Sequence, residues 1–425
     1  MKKMFFLVLL GCLVQSAYSQ PQQFTVAAPQ SAGFSPERLK KMDEVIQSWV
    51  NDPRLNGCVA LIVHNGKIVY HKGFGYNDLD KKQPMKTDAI FRICSQTKAI
   101  TSAAVMMLYE EGKFLLDDPV SRYIPEFAHP VVLDQFNAAD SSYTTVPAKS
   151  EITIRQLLTH TSGIGYAQIG SREANAIYGK AGLNAGFSTV NGPILGNDIK
   201  KLAKLPLFHQ PGEKFTYGMN TDVLGYLVEV VSGMSLDAFF RKRIFEPLGM
   251  TDTYFAIPAS KQDRLVNLFF EKDRKLVLAP EQFDNNGLFM RDYPKMPVTY
   301  FSGGAGLSST ALDYAKFLQM ILNGGTFNGK RLLSRNTVRM MTMDQLGSVD
   351  YGVNRFGLGF GITTTKGSAL LPTPEGVFEW GGAYSTTYWA DPKEQVIGIF
   401  YRQLWYSSYG EIANKFKVML YSALQ

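Results

Sequence analysis

Two β-rich segments near opposite ends of the chain constrain its fold more than any other sequence feature. The first, GCVALIVHNGKIVYHKGFG (residues 57–75), contains Asn65-Gly66, a dipeptide that favours a two-residue hairpin because both residues tolerate positive φ. The second, STTYWADPKEQVIGIFYRQ (residues 385–403), contains a turn at Asp391-Pro392. Since isolated hairpins are only marginally stable, we expect one sheet built from both ends of the chain.

A helix is predicted beside each of these segments. Ser35 and Pro36 are suited to the N-cap and the first position of a helix that starts the mature chain. Residues 411–424 repeat apolar side chains at helical spacing. The apolar positions that define the two helices are Leu39, Met42, Ile46 and Trp49 in the first, and Ile412, Phe416 and Met419 in the second.

Between the two ends the pattern is mainly helical, without β–α alternation. Helical periodicity covers residues 101–111, 222–231 and 311–322. We therefore predict an α+β fold: an α/β sandwich with a central antiparallel sheet flanked by the terminal helices, plus a mainly helical inserted region. The expected boundaries are about 31–94 and 300–425 for the sheet region and about 95–299 for the helical region.

The N-terminus has the pattern of an exported protein. MKKMFFLVLLGCLVQSAYSQ combines two lysines, an apolar run and a small-x-small end at Ala17-Tyr18-Ser19. We expect residues 1–19 to be a signal peptide cleaved before Gln20, which makes residues 20–425 one mature domain in the periplasm or outside the cell. Cys12 leaves a lipoprotein as the alternative, which the nearby Leu10 disfavours. No later apolar run is long enough to span a bilayer.

Charge and composition narrow the classes of partner. The formal net charge is +7 and falls to +5 without the two signal lysines, and the basic residues are scattered. We therefore expect no nucleic-acid partner. The five histidines have no metal-binding spacing, so neither a metal nor another cofactor is expected. Cys58 and Cys94 remain in the mature chain, and the sequence leaves open whether they pair.

The segment FRICSQTKAITSAAVMMLYEEGKFLLDD (residues 91–118) carries a serine and a lysine three positions apart at the head of an apolar helix. On a helix this spacing puts the amine of Lys98 within reach of the Ser95 hydroxyl. Because burial lowers the pKa of a lysine, we expect Lys98 to be partly a free amine that removes the Ser95 proton. The helix N-terminus also offers N–H groups to a developing oxyanion. The alternative is an ordinary N-cap serine and a lysine whose stem snorkels.

Two other chemistries lack their motifs. No G-x-S-x-G is present, which excludes the nucleophile elbow of the α/β-hydrolases. Residues 324–330 come nearest to a phosphate-binding loop, but Arg331 stands where Ser or Thr must bind magnesium. We interpret those residues as a turn.

From about Ser31 to the C-terminus, the chain resembles the serine β-lactamase and penicillin-binding-protein-like group. Within that group it is most similar to the class C β-lactamase-related hydrolases and the family VIII carboxylesterases. The segments that carry the resemblance, in the order of the family, are FRICSQTKAITS, LLTHTSGIG, PGEKFTYGMNTDVLG, SGGAGLSST and FEWGGAYSTTYWADP. Five segments in order are more specific than any one of them.

The resemblance implies a role for each matching residue. Ser95 matches the nucleophile, Lys98 its base partner, and Tyr217 the tyrosine that relays protons and protonates the leaving group. The resemblance also implies an oxyanion hole made of the backbone N–H groups of Ser95 and Ala383. The third motif, which contacts the substrate along a strand edge, falls on Trp380, Gly381 and Gly382.

The chain departs from the β-lactamase pattern at two positions. The Tyr-x-Asn motif has Met219 in its third place, and its asparagine follows one residue later as Asn220. The third motif begins with Trp380 instead of lysine or histidine. Since a cation at that point would meet a substrate carboxylate, its loss favours the esterase branch.

We therefore expect a serine hydrolase that acts through an acyl-enzyme, with a small-molecule ester or amide as substrate and uncharged esters preferred. The alternatives are a β-lactamase or a D-amino-acid-specific peptidase acting on cell-wall-type peptides, or a catalytically silent penicillin-binding-like protein. The peptidase would need Arg291 or Arg402 to replace the missing cation. The oligomeric state stays open.

Several further residues have structural interpretations beside functional ones. His160 and Ser162 are expected to hold a loop by hydrogen bonds, and Asp222 to belong to the start of a helix. An aromatic group could form an acyl pocket or belong to an ordinary core; its members are Tyr384, Trp405 and Tyr406. The Gly-, Asn- and Ala-rich residues 170–197 are expected to form a long surface loop, a candidate lid.

Overall fold

The computed structural model describes residues 24–52, 54–183, 194–283 and 289–425. The predicted signal peptide, with Cys12, therefore lies outside the described residues. So does part of the predicted loop at 170–197.

The centre of the molecule is one sheet assembled from both ends of the chain. Its labelled strands are β1 Thr25–Val26, β2 Gly57–His64, β3 Lys67–Asp78, β4 Arg355–Phe356, β5 Gly361–Ile362, β6 Phe378–Gly382, β7 Thr386–Asp391 and β8 Val396–Tyr401. Within the described residues the order is β1-β3-β2-β8-β7-β6-β5-β4, and Gln83–Pro84 pairs with β3. The two chain ends join where β2 pairs with β8.

The predicted fold class is confirmed. The labelled strands pair antiparallel except for the two-residue edge strand β1, which runs parallel to β3 and makes the sheet mixed. Asn65 and Gly66 connect β2 and β3 with φ of 49° and 71°, as a primed hairpin turn requires. Asp391 closes the β7–β8 turn, because its Oδ1 accepts the backbone N–H groups of Lys393 and Glu394 at 2.9 Å.

Helices cover both faces of the sheet. They are α1 Pro36–Asn51, α2 Thr97–Glu110, α3 Ile154–Leu158, α4 Arg172–Lys180, α5 Leu195–Leu202, α6 Asn220–Ser232, α7 Leu236–Phe240, α8 Ala311–Leu322, α9 Arg335–Met341 and α10 Glu411–Ala423. Two shorter helices span Glu246–Leu248 and Thr365–Ser368, and a π-helical turn spans Arg241–Phe245. Within the described residues, none of the helices has by itself the length and apolar composition of a membrane span. Asn220–Ser232 and Leu236–Leu248 reach that length and composition only when taken together, and the chain bends by 79° between them.

Short elements complete the description. Short 3-10 helices span Gln30–Ala32, Cys94–Gln96, Val120–Arg122, Pro125–Phe127, Ala259–Arg264 and Tyr293–Lys295. Small sheets pair Phe91–Arg92 with Ser308–Ser309, Val131–Phe136 with Tyr143–Pro147, Gln282–Phe283 with Phe289–Met290, and Thr326–Phe327 with Lys330–Arg331. A three-stranded sheet contains Phe269–Lys272, Lys275–Leu278 and Leu404–Trp405.

Strand β8 shows how the sheet separates two cores. Val396 and Phe400 belong to the core under the terminal helices, whereas Ile397, Ile399 and Tyr401 belong to the core shared with the helical region. This alternation follows from the two-residue period of a strand that is buried on both faces. The predicted cap is also present, since Ser35 Oγ accepts the Arg38 N–H at 3.3 Å at the start of α1.

The expectation of an uninterrupted loop at 170–197 is wrong for its described part. Residues 172–180 form α4, and α5 begins at Leu195. Ser171 caps α4 by accepting the Ala174 N–H, and the buried residues Ala174, Ile177 and Tyr178 recur at helical spacing. A segment rich in small and polar residues can therefore form a helix where its few apolar residues recur at helical spacing and are buried.

Candidate active site

Ser95 lies in a tight turn that leads into α2. The turn is the 3-10 segment Cys94–Gln96, and the buried Cys94 has a φ of 48°. A left-handed conformation is unfavourable for a residue with a Cβ and has to be held by its surroundings. Here the Ile93 N–H donates to the Leu307 carbonyl at 3.0 Å and anchors the residue before the turn. The half-buried Ser95 is thereby held at the N-terminal end of α2.

Lys98 is buried next to Ser95, with only 2% of its surface exposed. Its Nζ donates to Ser95 Oγ at 3.2 Å, to the Tyr166 hydroxyl at 3.0 Å and to the Gly304 carbonyl at 2.7 Å. Three acceptors match the three N–H bonds of an ammonium group. The contact predicted from the three-residue spacing is therefore present.

The charge of Lys98 differs from the expectation. Burial acts to lower the pKa of Lys98, but the phenol groups of Tyr166 and Tyr217 act in the opposite direction, and the net effect is a raised pKa. For Tyr166 burial raises the pKa of the phenol, and the positive charge of Lys98 opposes that rise. The expected lowering of the Lys98 pKa is thus wrong, because desolvation is outweighed by the two phenols, which the sequence does not place beside the lysine. The raised pKa and the three acceptors around Nζ both favour the ammonium form of Lys98.

Tyr217 lies on the same side of Lys98 as the third motif. Lys98 Nζ is 4.6 Å from the centre of the Tyr217 ring, and the Trp380 indole N–H donates to the Tyr217 hydroxyl at 3.4 Å. The rings of Tyr217 and Trp380 are 5.7 Å apart. The structure thus brings Ser95, Lys98, Tyr217 and Trp380 together, while their catalytic roles stay predictions.

The end of β6 lies against the turn that carries Ser95. A Cβ on Gly382 would stand 2.4 Å from the Ile93 carbonyl oxygen, so only glycine permits this approach. Burial raises the pKa of Cys94 to about 12, and the backbone N–H groups of Tyr384 and Ala383 oppose that rise. The backbone of Ala383 is therefore close to the nucleophile turn, as an oxyanion hole would require.

Gly381 is placed differently from its neighbours. In β6 it pairs with Thr387, and strand alternation puts it on the face of Glu379, opposite to Trp380 and Gly382. With Glu379 and the adjacent Trp380 it lines a cavity of about 260 Å³ beside α10. Any contact of Gly381 with substrate would involve its backbone.

Sequence reasoning missed two groups that contact Lys98 directly. Tyr166 directly follows the quoted segment LLTHTSGIG, and Gly304 lies within SGGAGLSST. Both segments were associated with the site, but neither carried a signal for which atom would face the lysine. Only the three-dimensional arrangement identifies the phenol and the carbonyl.

The displaced asparagine of the second motif faces inward. Asn220 is fully buried, its side-chain oxygen accepts the Ser162 hydroxyl, and its Nδ2 donates to His160 Nδ1 at 3.0 Å. Burial, assisted by Lys98, lowers the pKa of His160, which is consistent with a neutral ring that accepts. These contacts fit the loop-holding interpretation of His160 and Ser162. Met219, which occupies the third position of the Tyr-x-Asn motif, is also fully buried.

The aromatic group predicted near the C-terminus borders the Ala383 end of the site. The Leu404 N–H donates to the Tyr384 carbonyl at 3.0 Å, and the Trp405 ring lies 4.5 Å from Phe283. Tyr384 is buried, whereas Tyr406 is 70% exposed. Phe283 was not singled out from the sequence. The contacts allow either a core or a pocket wall.

The two arginines considered as carboxylate receptors are engaged elsewhere. Arg291 bonds to Asp292 at 2.9 Å and donates to the Ala279 carbonyl at 2.8 Å. Arg402 is 3% exposed and donates to the Tyr409 carbonyl at 3.3 Å. Cys58 and Cys94, whose pairing was open, are both free and buried.

A serine and a buried lysine at the start of a central helix, next to the end of a strand in the central sheet, are typical of serine hydrolases with the β-lactamase and transpeptidase fold. The family model described as Beta-lactamase matches residues 42–418, and the chain belongs to that family. The predicted family is thereby confirmed. The protein is a serine hydrolase.

Relatives of this chain include named esterases. Esterase EstB of Burkholderia gladioli is 31% identical over 83% of this chain and 86% of its own length. Lovastatin esterase of Penicillium rubens (strain ATCC 28089 / DSM 1075 / NRRL 1951 / Wisconsin 54-1255) is 30% identical over 84% of this chain and 91% of its own length. The solved structure of EstCE1, a hydrolase with promiscuous acyltransferase activity, is 25% identical and superimposes with a TM-score of 0.76 over 90% of this chain and 98% of EstCE1.

Proposed function

We propose that the protein is a carboxylesterase that hydrolyses small to medium uncharged esters through an acyl-enzyme. The observation that carries this proposal is Trp380, a neutral indole that donates to the Tyr217 hydroxyl where related enzymes place a cation. A substrate carboxylate would meet a neutral indole at position 380, and the side chains of Arg291 and Arg402 are engaged elsewhere. The esterase relatives support the same class of substrate.

Acylation begins when the group formed by Lys98 and its tyrosines has lost one proton. That group accepts the proton of Ser95, and Ser95 Oγ forms a bond to the ester carbonyl carbon. The carbonyl π electrons move to oxygen, which the N–H groups of Ser95 and Ala383 stabilise; such a donor contributes about 3 kcal/mol. The C–O bond to the alcohol then breaks, and Tyr217 supplies the proton that the leaving alkoxide needs.

Deacylation repeats the sequence with water. The group around Lys98 accepts a proton from water, whose oxygen attacks the acyl carbon. When the bond to Ser95 breaks, the proton returns to Ser95 Oγ and the carboxylic acid leaves. The proton count of Lys98, Tyr217 and Ser95 is the same before and after one turnover.

A comparison of p-nitrophenyl acetate and butyrate with nitrocefin tests the preference. We expect ester turnover well above nitrocefin turnover. Strong nitrocefin turnover without esterase activity would overturn the proposal in favour of a β-lactamase. Cleavage confined to D-alanyl peptides would indicate the peptidase.

The nucleophile is tested separately by intact-mass spectrometry after reaction with a fluorophosphonate. We expect one adduct on the wild-type protein and none on Ser95→Ala. No adduct on either protein, together with no turnover, would indicate a silent binding protein.

We also propose export of the protein with cleavage before Gln20. The support is the N-terminal pattern of lysines, apolar run and small residues. N-terminal sequencing of the protein recovered from a bacterial periplasm tests this. A mature chain that still begins at Met1 would contradict it.

A further inference from the structure

A buried carboxylate that the proposed mechanism does not use lies behind Lys98. Asp222 sits in the first turn of α6 and is 0% exposed. Its Oδ1 accepts the Ser302 hydroxyl at 2.5 Å and the Gly304 N–H at 3.3 Å. Its Oδ2 has no hydrogen-bond partner among the described residues. An ionised carboxylate in such a site is costly unless a nearby cation balances its charge.

The peptide of Gly304 connects Asp222 to Lys98. Its N–H donates to Asp222, while its carbonyl accepts from Lys98 Nζ at 2.7 Å. Hydrogen bonds in such a chain polarise one another, so the carboxylate strengthens the carbonyl as an acceptor for the ammonium. A Cβ on Gly304 would stand 2.5 Å from Asp222 Oδ2 and 3.2 Å from the Tyr166 hydroxyl. Carboxylate, peptide and phenol are therefore in close contact.

The titratable groups around Asp222 come from several elements. Burial raises the pKa of Asp222, and the Ser302 hydroxyl and Lys98 on α2 oppose that rise by favouring the ionised carboxylate. Tyr166 and Tyr300 both lie close enough to Asp222 for their pKa values to depend on its charge. Lys98 Nζ lies 4.6 Å from the centre of the Tyr217 ring. Burial lowers the pKa of His160, and the charge of Lys98 lowers it further. Burial raises the pKa of Tyr300, and the charges of Asp222 and Asp198 raise it further. Among these groups Lys98 is the one cation that Asp222 can balance at neutral pH.

We propose that Asp222 is a positioning residue of the active site. Through the Gly304 peptide it holds the carbonyl that aligns Lys98 with Ser95, and its negative charge balances the buried ammonium. This inference rests on the proposed function, because it assigns Asp222 a part in the same proton transfer. The expectation that Asp222 belongs to the start of a helix is confirmed, since Asp222 lies in the first turn of α6, and the proposal adds a role beside Lys98.

A second acid in the same chain provides a matched control. Asp313 lies in the first turn of α8 and is 2% exposed, and burial raises its pKa as it does that of Asp222. It has its own partner in Lys316 at 2.8 Å and accepts the Asp252 N–H at 2.6 Å. Asp313 thus shares burial and helix position with Asp222 but has no contact with Lys98.

The experiment measures kcat and KM for p-nitrophenyl butyrate against pH in wild type, Asp222→Asn, Asp222→Ala and Asp313→Asn. Asp222→Asn keeps an oxygen acceptor but removes the charge, so the ammonium is less favoured. We expect the acid limb of its kcat/KM profile to move to lower pH by about one unit. Asp222→Ala also loses the acceptor, and we expect kcat to fall about tenfold with KM little changed. Asp313→Asn should keep the wild-type profile even if it unfolds more easily.

The outcomes separate this inference from the proposed function. A wild-type pH profile in Asp222→Asn overturns the charge-balancing role, and a wild-type kcat in Asp222→Ala overturns the positioning role. If both variants fold poorly, the rate of fluorophosphonate labelling against pH, measured on the folded fraction, gives the same comparison. A wild-type protein with neither turnover nor labelling overturns the proposed function, and the inference with it.

Discussion

The environment of Lys98 decides what the nucleophile can do. Its ammonium donates to Ser95, Tyr166 and Gly304, and the first of these bonds joins it to the reacting hydroxyl. Burial alone would favour the free amine, but the phenols of Tyr166 and Tyr217 outweigh burial. The basic form therefore belongs to the whole group, whose protons are shared, and to no single residue.

The first prediction concerns the pH dependence of the wild-type enzyme. Since the pKa of Lys98 is raised, the group around it is protonated at neutral pH and gains basicity only by losing a proton. We expect kcat/KM for p-nitrophenyl butyrate to rise with pH above neutrality. Intrinsic fluorescence in the same buffers monitors folding. A rate that falls with rising pH while the protein stays folded would contradict the assignment.

The second prediction concerns Tyr166. Tyr166→Phe removes the hydroxyl 3.0 Å from Lys98 Nζ, so the lysine loses an acceptor that aligns it with Ser95. We expect kcat to fall by about tenfold to a hundredfold, in the range of a positioned proton-transfer group. Tyr178→Phe is the control, because Tyr178 is equally buried but donates to the Pro206 carbonyl outside the site. Equal rates for the two variants would argue against a role for Tyr166.

At the scale of elements, β6 matters because of where it ends. Gly382 approaches the nucleophile turn, and the Trp380 ring contacts Tyr217. Gly381 shares the strand face of Glu379, which accepts from Lys417 of α10, so one strand serves both the site and the outer layer. The sequence motif assigns the same substrate-contacting role to Trp380, Gly381 and Gly382. Alternation along the strand separates them.

The third prediction tests this placement. Gly382→Ala would put a Cβ 2.4 Å from the Ile93 carbonyl and push the strand end away from the Ser95 turn. We expect kcat to fall about a hundredfold, equivalent to about 3 kcal/mol, because the oxyanion donors would no longer align. At Gly381 the nearest atom to an added Cβ is 3.3 Å away, so Gly381→Ala should cost less. The reverse order in steady-state kinetics would refute the proposed geometry.

At the scale of the whole molecule, stability depends on contacts between the two chain ends. Helix α10 packs on the sheet face that α1 also covers, and the Phe416 ring stacks on Phe400 at 4.7 Å. The Ser35 N–H donates to the Ala423 carbonyl at 2.8 Å, which joins the start of α1 to the end of α10. This layer lies on the opposite side of the sheet from Ser95.

The fourth prediction follows from that separation. Phe416→Ala removes a fully buried ring and should lower the free energy of unfolding by about 3–5 kcal/mol. Urea unfolding followed by fluorescence measures the change, and Val418→Ala on the exposed side of α10 is the control. Fluorophosphonate labelling of Ser95 should be retained in the folded protein. An unfolding midpoint equal to that of the control would contradict this account of the core.

Much of the fold could be predicted because its signals are local. Ser35 and Pro36 start α1, and Asn65-Gly66 connects β2 and β3, since each depends on the conformational preferences of one or two residues. The predicted boundaries of α8 agree with the structure for the same reason. Helix α4 was missed because its small and polar residues resemble a loop until the burial of Ile177 and Tyr178 is known.

For the site, the sequence by itself determined the spacing of Ser95 and Lys98 and the motifs that carry Tyr217 and Trp380. A three-residue separation on a helix leaves the two side chains little choice but to be neighbours. The charge of the lysine was decided only by the tertiary structure. Tyr166 and Gly304 reach Lys98 from 68 and 206 residues away, and Asp222 acts through the second of them. Electrostatic free energy depends on distance in space and on exclusion of water, and neither can be obtained from the order of residues along a chain.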